Sequence, residues 1–209
     1  MTKSKRNNKS QIIIGSLLIV FGLALTFGRI IYNFTLNKVD EIKVESFFEE
    51  KHPTRNVIHR KNENNNITYK SNNKSGYYAI LEIPSISLKR GLVDKNSKAN
   101  NVNRNIKTLK SSDTPDIVGG NVLLASHSGN SRVAYFKNLY KVNKGDIINI
   151  YYNGYKYEYK ITDKYNQDKT GVITYVYKNT SMVVLTTCNQ QEKGKQIIVI
   201  GTLDNKSEY

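Results

Sequence analysis

Cysteine is nearly missing from this chain: Cys188 is the only one in 209 residues. No internal disulfide can form, and no zinc-finger spacing exists, so the cysteine count gives no reading of redox compartment. Histidine is scarce too, with three residues. Acidic residues number 17 against 32 lysines and arginines, and they form no cluster of the kind that holds a divalent cation. No metal and no cofactor are expected. Arginine stops at Arg132, which leaves the last third of the chain without a guanidinium.

The surplus of base gives a formal charge of +15. A lysine- and asparagine-rich composition with solvated charges accounts for it, as would attraction to membrane lipid, wall polymer or nucleic acid. An RNA-binding aromatic signature and an arginine-rich helix are both absent, so no nucleic-acid partner is expected.

Residues 1–10 form a basic tail with Lys3, Lys5, Arg6 and Lys9. An apolar run follows, uncharged from Gln11 to Gly28, and Ile30 to Tyr32 extend it if Arg29 snorkels. Residues 11–32 are therefore expected to span a membrane once. The basic flank keeps the N-terminus cytoplasmic and places the rest outside the cell. Ala24-Leu-Thr26 is a poor cleavage site, so the span reads as an uncleaved anchor. Residues 33–75 read as a short amphipathic helix over Lys38 to Lys51 followed by a polar, flexible tether that includes His52 and His59.

From residue 76 to 209 the pattern changes to short β segments. Tyr77 to Ile83 and Ser87 to Val93 flank Pro84, and Asn121 to His127 forms a third apolar run. Asn153-Gly154 marks a hairpin between Ile147–Tyr152 and Tyr155–Asp163. Lys164 to Thr180 reads as loop around a short run from Val172 to Tyr177. Met182 to Thr187 and Gln196 to Leu203 are β-branched and apolar around a turn at Gly194. A short helix is expected near Asn105 to Leu109, and one or two helical turns over Arg132 to Tyr140. The tyrosines at 151, 152, 155, 157 and 159 sit at strand spacing and suit cross-strand packing. Many short strands with close turns argue for a closed or nearly closed β-barrel.

Cys188 ends one predicted core strand and His127 ends another. Nucleophilic thiols need a proton-handling partner close in space, and no other histidine lies in the predicted domain. The alternative is a buried, inert thiol with an unrelated histidine.

At these residues the chain resembles the sortases, Gram-positive surface transpeptidases. Leu185-Thr-Thr-Cys188 is similar to their cysteine motif. Ala125-Ser-His127, with Phe136-Lys-Asn-Leu139 and Gly145-Asp146, is similar to their histidine region, and Tyr78-Ala-Ile-Leu-Glu-Ile-Pro84-Ser-Ile86 to their first strand. The resemblance runs from Gly76 to Leu203. It implies an eight-stranded β-barrel in which Cys188 is the nucleophile and His127 the general acid and base. It further implies a secreted protein bearing a C-terminal sorting motif as substrate. The acceptor would be an amine of a cell-wall precursor or of a lysine on another surface protein. The short segment before the cysteine strand speaks against a class with a long helical insertion there.

Two departures stand out. Gln196 occupies the place of the arginine that sortases carry after the cysteine strand, and Ser126 stands where glycine is common. Gln196, Lys195, Lys193 and Arg132 are candidates for substrate or oxyanion contact. A weak or inactive relative that binds sorting motifs or pilin subunits as a scaffold is the alternative reading.

Overall fold

In the computed structural model, residues 8–49, 75–177 and 180–209 are described. The tether, except for Ser75, lies outside them, with His52, His59 and most of the basic tail. The chain divides into two compact units, Met1–Glu41 and Ile42–Tyr209.

Helix α1 runs from Asn8 to Glu49. The first unit contains its apolar part, long and apolar enough to cross a membrane and exposing Ile12, Leu17, Phe21 and Leu25. Its hydroxyls bond back to the helix, Ser16 to the Ile12 carbonyl and Thr26 to that of Leu23, so these polar groups are satisfied without water. A separate amphipathic helix starting near Lys38 does not form. No glycine or proline interrupts Arg29 to Glu49, and Lys38 pairs with Glu41 at 2.7 Å on the same helix, so one helix continues through the polar stretch.

The second unit is a nearly closed, eight-stranded sheet. Its strands are β1 Ala79–Ile83, β2 Leu88–Leu92, β3 Lys107–Thr108, β4 Asn121–Ala125, β5 Ile147–Tyr152, β6 Tyr155–Asp168, β7 Met182–Cys188 and β8 Lys195–Glu208. Their order is β2-β1-β5-β6-β8-β7-β4-β3. The gap between the edges is bridged by Asn105, whose side chain donates to the Gly91 carbonyl at 2.9 Å and accepts from Arg90 Nε at 3.0 Å. Leu81, Leu124, Ile150, Tyr159, Leu185 and Val199 fill the interior.

Two stretches expected as helix differ. At Asn105 to Leu109 the chain forms β3, because the Asn100 amide brackets Thr108 through both its N–H and its carbonyl and holds it extended beside β4. Between Ser131 and Val142 successive three-residue bonds, such as Ala134 N–H to the Ser131 carbonyl, end in a 3-10 turn at Leu139–Lys141. Phe136 and Leu139 are buried as expected. Pro84–Ile86 forms a second 3-10 turn.

Strand β6 extends past Asp163 to Asp168 because Thr162 is a bulge: Ile161 pairs with Gly201 and Asp163 with Ile200. The extra residue moves the following odd-numbered side chains from the barrel interior to the outer face. Tyr165 thus packs outside with Leu123, Val184 and Ile198, as Ile173 and Tyr175 of the next segment also do. Val172 to Tyr177 itself has no regular structure.

A different outer face, over β1 and β5, is covered by the end of α1. Val44 and Phe47 are buried against Tyr77, Ile80 and Val93, and Phe47 stacks on Tyr209 at 6.4 Å between centroids. Emptying that site leaves a cavity. Phe47→Ala is expected to cost about 3 to 5 kcal/mol, read as a lowered unfolding midpoint of the full chain in detergent, whereas Phe34→Ala, in the other unit, leaves the midpoint unchanged.

Candidate active site

Strands β4 and β7 run parallel, with Ala125 opposite Thr186. His127 and Cys188 each lie two residues further along, so both fall at the same end of neighbouring strands, whose spacing is about 4.8 Å. The contact continues past the ladder: Ser126 N–H donates to the Thr186 carbonyl at 3.3 Å, and Thr187 Oγ1 to the Ser126 carbonyl at 2.7 Å.

Alternation decides which way the thiol faces. Val183 and Leu185 belong to the interior cluster, and Met182 and Val184 to the outer one. Cys188 shares the phase of Val184 and faces outward, as His127 does by the phase of Leu123. Below Cys188 in the same column, Thr186 Oγ1 is buried with no hydrogen-bond partner among the described residues.

Cys188 and His127, both half-buried, line a cleft of about 330 Å³ with Ser128, Gly129, Asn130, Ser131 and Gln190. The His127 Nε2 lies 2.9 Å from Asn103 Oδ1. A carbonyl oxygen only accepts, so Nε2 carries the hydrogen and Nδ1 is the ring atom left to exchange protons. Gln190 Nε2 donates to Ser128 Oγ at 2.8 Å, joining the loop after the cysteine to the loop after the histidine. Asn189 Oδ1 accepts from the Gln191 and Glu192 N–H groups and shapes the turn beyond Cys188.

The other candidates are placed differently. Gln196 lies directly opposite Cys188 across β7 and β8, so the two side chains share a face. Its Nε2 donates to the Val172 carbonyl at 3.0 Å. Lys195, one residue earlier, takes the opposite phase and pairs with Asp168 at 2.8 Å. The hydrogen bond to that carboxylate, then its charge, raises the Lys195 pKa. Lys193 is exposed in the turn, and Arg132 is exposed next to the lining residue Ser131. Among the described residues, no three of histidine, cysteine, aspartate and glutamate converge as metal ligands.

Asn103, Ser128 and Gln190 escaped the sequence reading. Asn103 lies in a stretch rich in asparagine and lysine, where nothing sets it apart. Gln190 follows the cysteine by two residues and is legible as a cleft residue once Cys188 is.

A model of the sortase domain matches residues 81–204. The comparison with curated proteins returns no match. Among solved structures, the chain is similar to Listeria monocytogenes sortase A at 25% identity and a TM-score of 0.53, covering 64% of this chain and 91% of that one. It is similar in fold to Streptococcus pneumoniae sortase C, described with its pilin substrate specificity, at 16% identity and a TM-score of 0.56 over 64% and 72%. Streptomyces coelicolor sortase E1, solved with a tripeptide in the active site, has the same fold at 19% identity and a TM-score of 0.51 over 63% and 90%.

Asn103 holds the imidazole by one exposed hydrogen bond. Asn103→Ala is expected to slow alkylation of Cys188 by an iodoacetamide probe roughly tenfold if the imidazole assists ionisation of the thiol, while Asn103→Asp keeps the acceptor and retains most of the rate.

Proposed function

The chain belongs to the sortase family, and we propose that it is a membrane-anchored cysteine transpeptidase acting outside the cell, with Cys188 as nucleophile and His127 as acid and base. The observation that carries this reading is the parallel register that puts both residues at one edge of the sheet, in one open cleft. The apolar helix supports anchoring in the membrane, with the N-terminus in the cytoplasm.

The chemistry follows from the two groups. The Cys188 thiolate attacks the carbonyl carbon of a threonine within a sorting motif near the C-terminus of a secreted protein. The tetrahedral intermediate collapses as His127 gives a proton to the departing amine nitrogen, leaving a thioester on Sγ. A thioester keeps most of the acyl-transfer potential of the amide it replaces, so an amine can resolve it without ATP. His127 then takes a proton from the attacking amine, and the C–S bond breaks to return the thiolate. The amine belongs to a cell-wall precursor or to a lysine of another surface protein.

A second reading, a slow or inactive relative that binds sorting motifs as a scaffold, is favoured by one observation: the Gln196 amide is already engaged by Val172. Loss of an oxyanion donor costs on the order of 100- to 1,000-fold in rate.

Mass spectrometry of the full chain in detergent, after incubation with sorting-motif peptides and an amine, separates the two. The transpeptidase gives an acyl adduct on Cys188 and an amide product, both abolished in Cys188→Ala and reduced roughly 100-fold or more in His127→Ala. Peptide binding with no adduct across the library moves the assignment to the scaffold.

A further inference from the structure

Gln196 has a partner on the adjoining strand. In the β6–β8 ladder it lies directly opposite Gln167, and the two amides converge on one atom. Gln167 Nε2 donates to the Val172 carbonyl at 2.6 Å and Gln196 Nε2 to the same oxygen at 3.0 Å. A carbonyl oxygen has two lone pairs and accepts both. Gln167 also accepts, through Oε1, from the Thr174 N–H at 3.1 Å. Its side-chain amide thereby bonds the segment after β6 at two points, much as a neighbouring strand would. Only the bulge at Thr162 makes this possible, since without it Gln167 would face the barrel interior.

The segment held in this way, 169–177, is bonded to the residue that stands opposite Cys188. Gln196 shares a face with Cys188 and reaches Val172, so the Val172 backbone lies one side chain away from the cysteine column. Further along, Ile173 and Tyr175 pack on Leu123, Val184 and Ile198 of the same outer face. Tyr165 supplies another tie, from its hydroxyl to the Thr174 carbonyl at 2.7 Å.

We propose that Gln167 and Gln196 form a clamp on the Val172 carbonyl that sets segment 169–177 as one wall of the peptide-binding face, so that Gln196 is a positioning residue for substrate binding and not an oxyanion donor. The proposal rests on the sortase reading of the cleft. Its chemistry is that of a neutral amide. Val172 offers a carbonyl, which needs a donor without charge, and Gln196 is 8% exposed, where an unpaired guanidinium would be poorly solvated.

The test compares Q196A, Q167A and the double variant with the native protein, as full chains in detergent. Hydrogen exchange is read on segment 169–177, and KM and kcat on whichever sorting peptide the native chain turns over. Each single variant is expected to speed exchange at Thr174 roughly tenfold and to raise KM roughly tenfold with kcat within about twofold. Q167A, which also loses the acceptor of the Thr174 N–H, should be at least as affected as Q196A, and the double variant barely worse than Q167A, since the two amides form one network. A 100-fold fall in kcat for Q196A with exchange and KM unchanged would make Gln196 an oxyanion donor and overturn the clamp. So would a Q167A protein indistinguishable from native. If the native chain forms no acyl adduct, the transpeptidase reading fails by that result alone; the exchange data, with peptide Kd in place of KM, still decide the clamp.

Discussion

The arrangement of this domain depends on one parallel contact. Every other strand pair described is antiparallel, and β4 beside β7 is the exception. Antiparallel neighbours end at opposite edges of a sheet, whereas parallel ones end together. Because β4 and β7 run the same way, residues 61 positions apart at their shared end, Ser126 just past β4 and Thr187 near the end of β7, come into hydrogen-bond contact. The side chains that follow meet in one cleft. Parallel pairing requires a long crossover, and the hairpin of β5 and β6 with its trailing segment is that crossover. It then returns to the same face beside the cysteine.

A second constraint is the direction of alternation. A cysteine that ended β7 one residue earlier would face the barrel interior among Val183 and Leu185 and would be a packed thiol. The observed phase puts it outward, where the outer cluster leaves the last positions of the column open. The same rule separates Lys195 from Gln196, although they are neighbours in sequence. One side chain is turned toward Asp168 and the other toward the cysteine face. A solvent-exposed ion pair such as Lys195–Asp168 adds little to stability, but it turns the Lys195 ammonium away from the thiol.

Strand-by-strand periodicity made much of the barrel legible. The Asn-Gly turn placed β5 to the residue, and the apolar runs placed β4, β7 and most of β8. Legibility failed where period two failed. Past Thr162 the bulge inverts which residues are buried, so Lys164 to Asp168 look like loop to a reader who keeps counting by twos. Asn105 to Leu109 failed for a different reason. Its extended form is imposed by the side chain of Asn100, a contact between residues eight apart that no local propensity records. In the cleft, the two titratable residues were visible because their types are rare in this chain. Asn103 and Ser128 were not, since asparagine and serine are common here and their bonds span distances in sequence that periodicity does not reach; Gln190 becomes legible only through its place two residues after Cys188.

The exchange of an arginine for Gln196 gains a physical meaning from these contacts. Guanidinium suits a carboxylate or a developing oxyanion, because two charge-assisted donors meet two acceptors in one plane. Opposite Cys188 the atom that Gln196 reaches is a neutral carbonyl, already approached by a second amide from Gln167. An arginine at position 196 could not serve that carbonyl without leaving most of its five donors and its charge unmatched in a nearly buried place. The interactions that fix segment 169–177 therefore exclude the charged group, and a transpeptidase built this way has to stabilise its oxyanion from elsewhere in the cleft. That cleft is lined by Gln190, whose side-chain amide donates to Ser128 Oγ, and by the loop that follows His127. Both lie at the same strand ends as the thiol, where the parallel register has already brought them together.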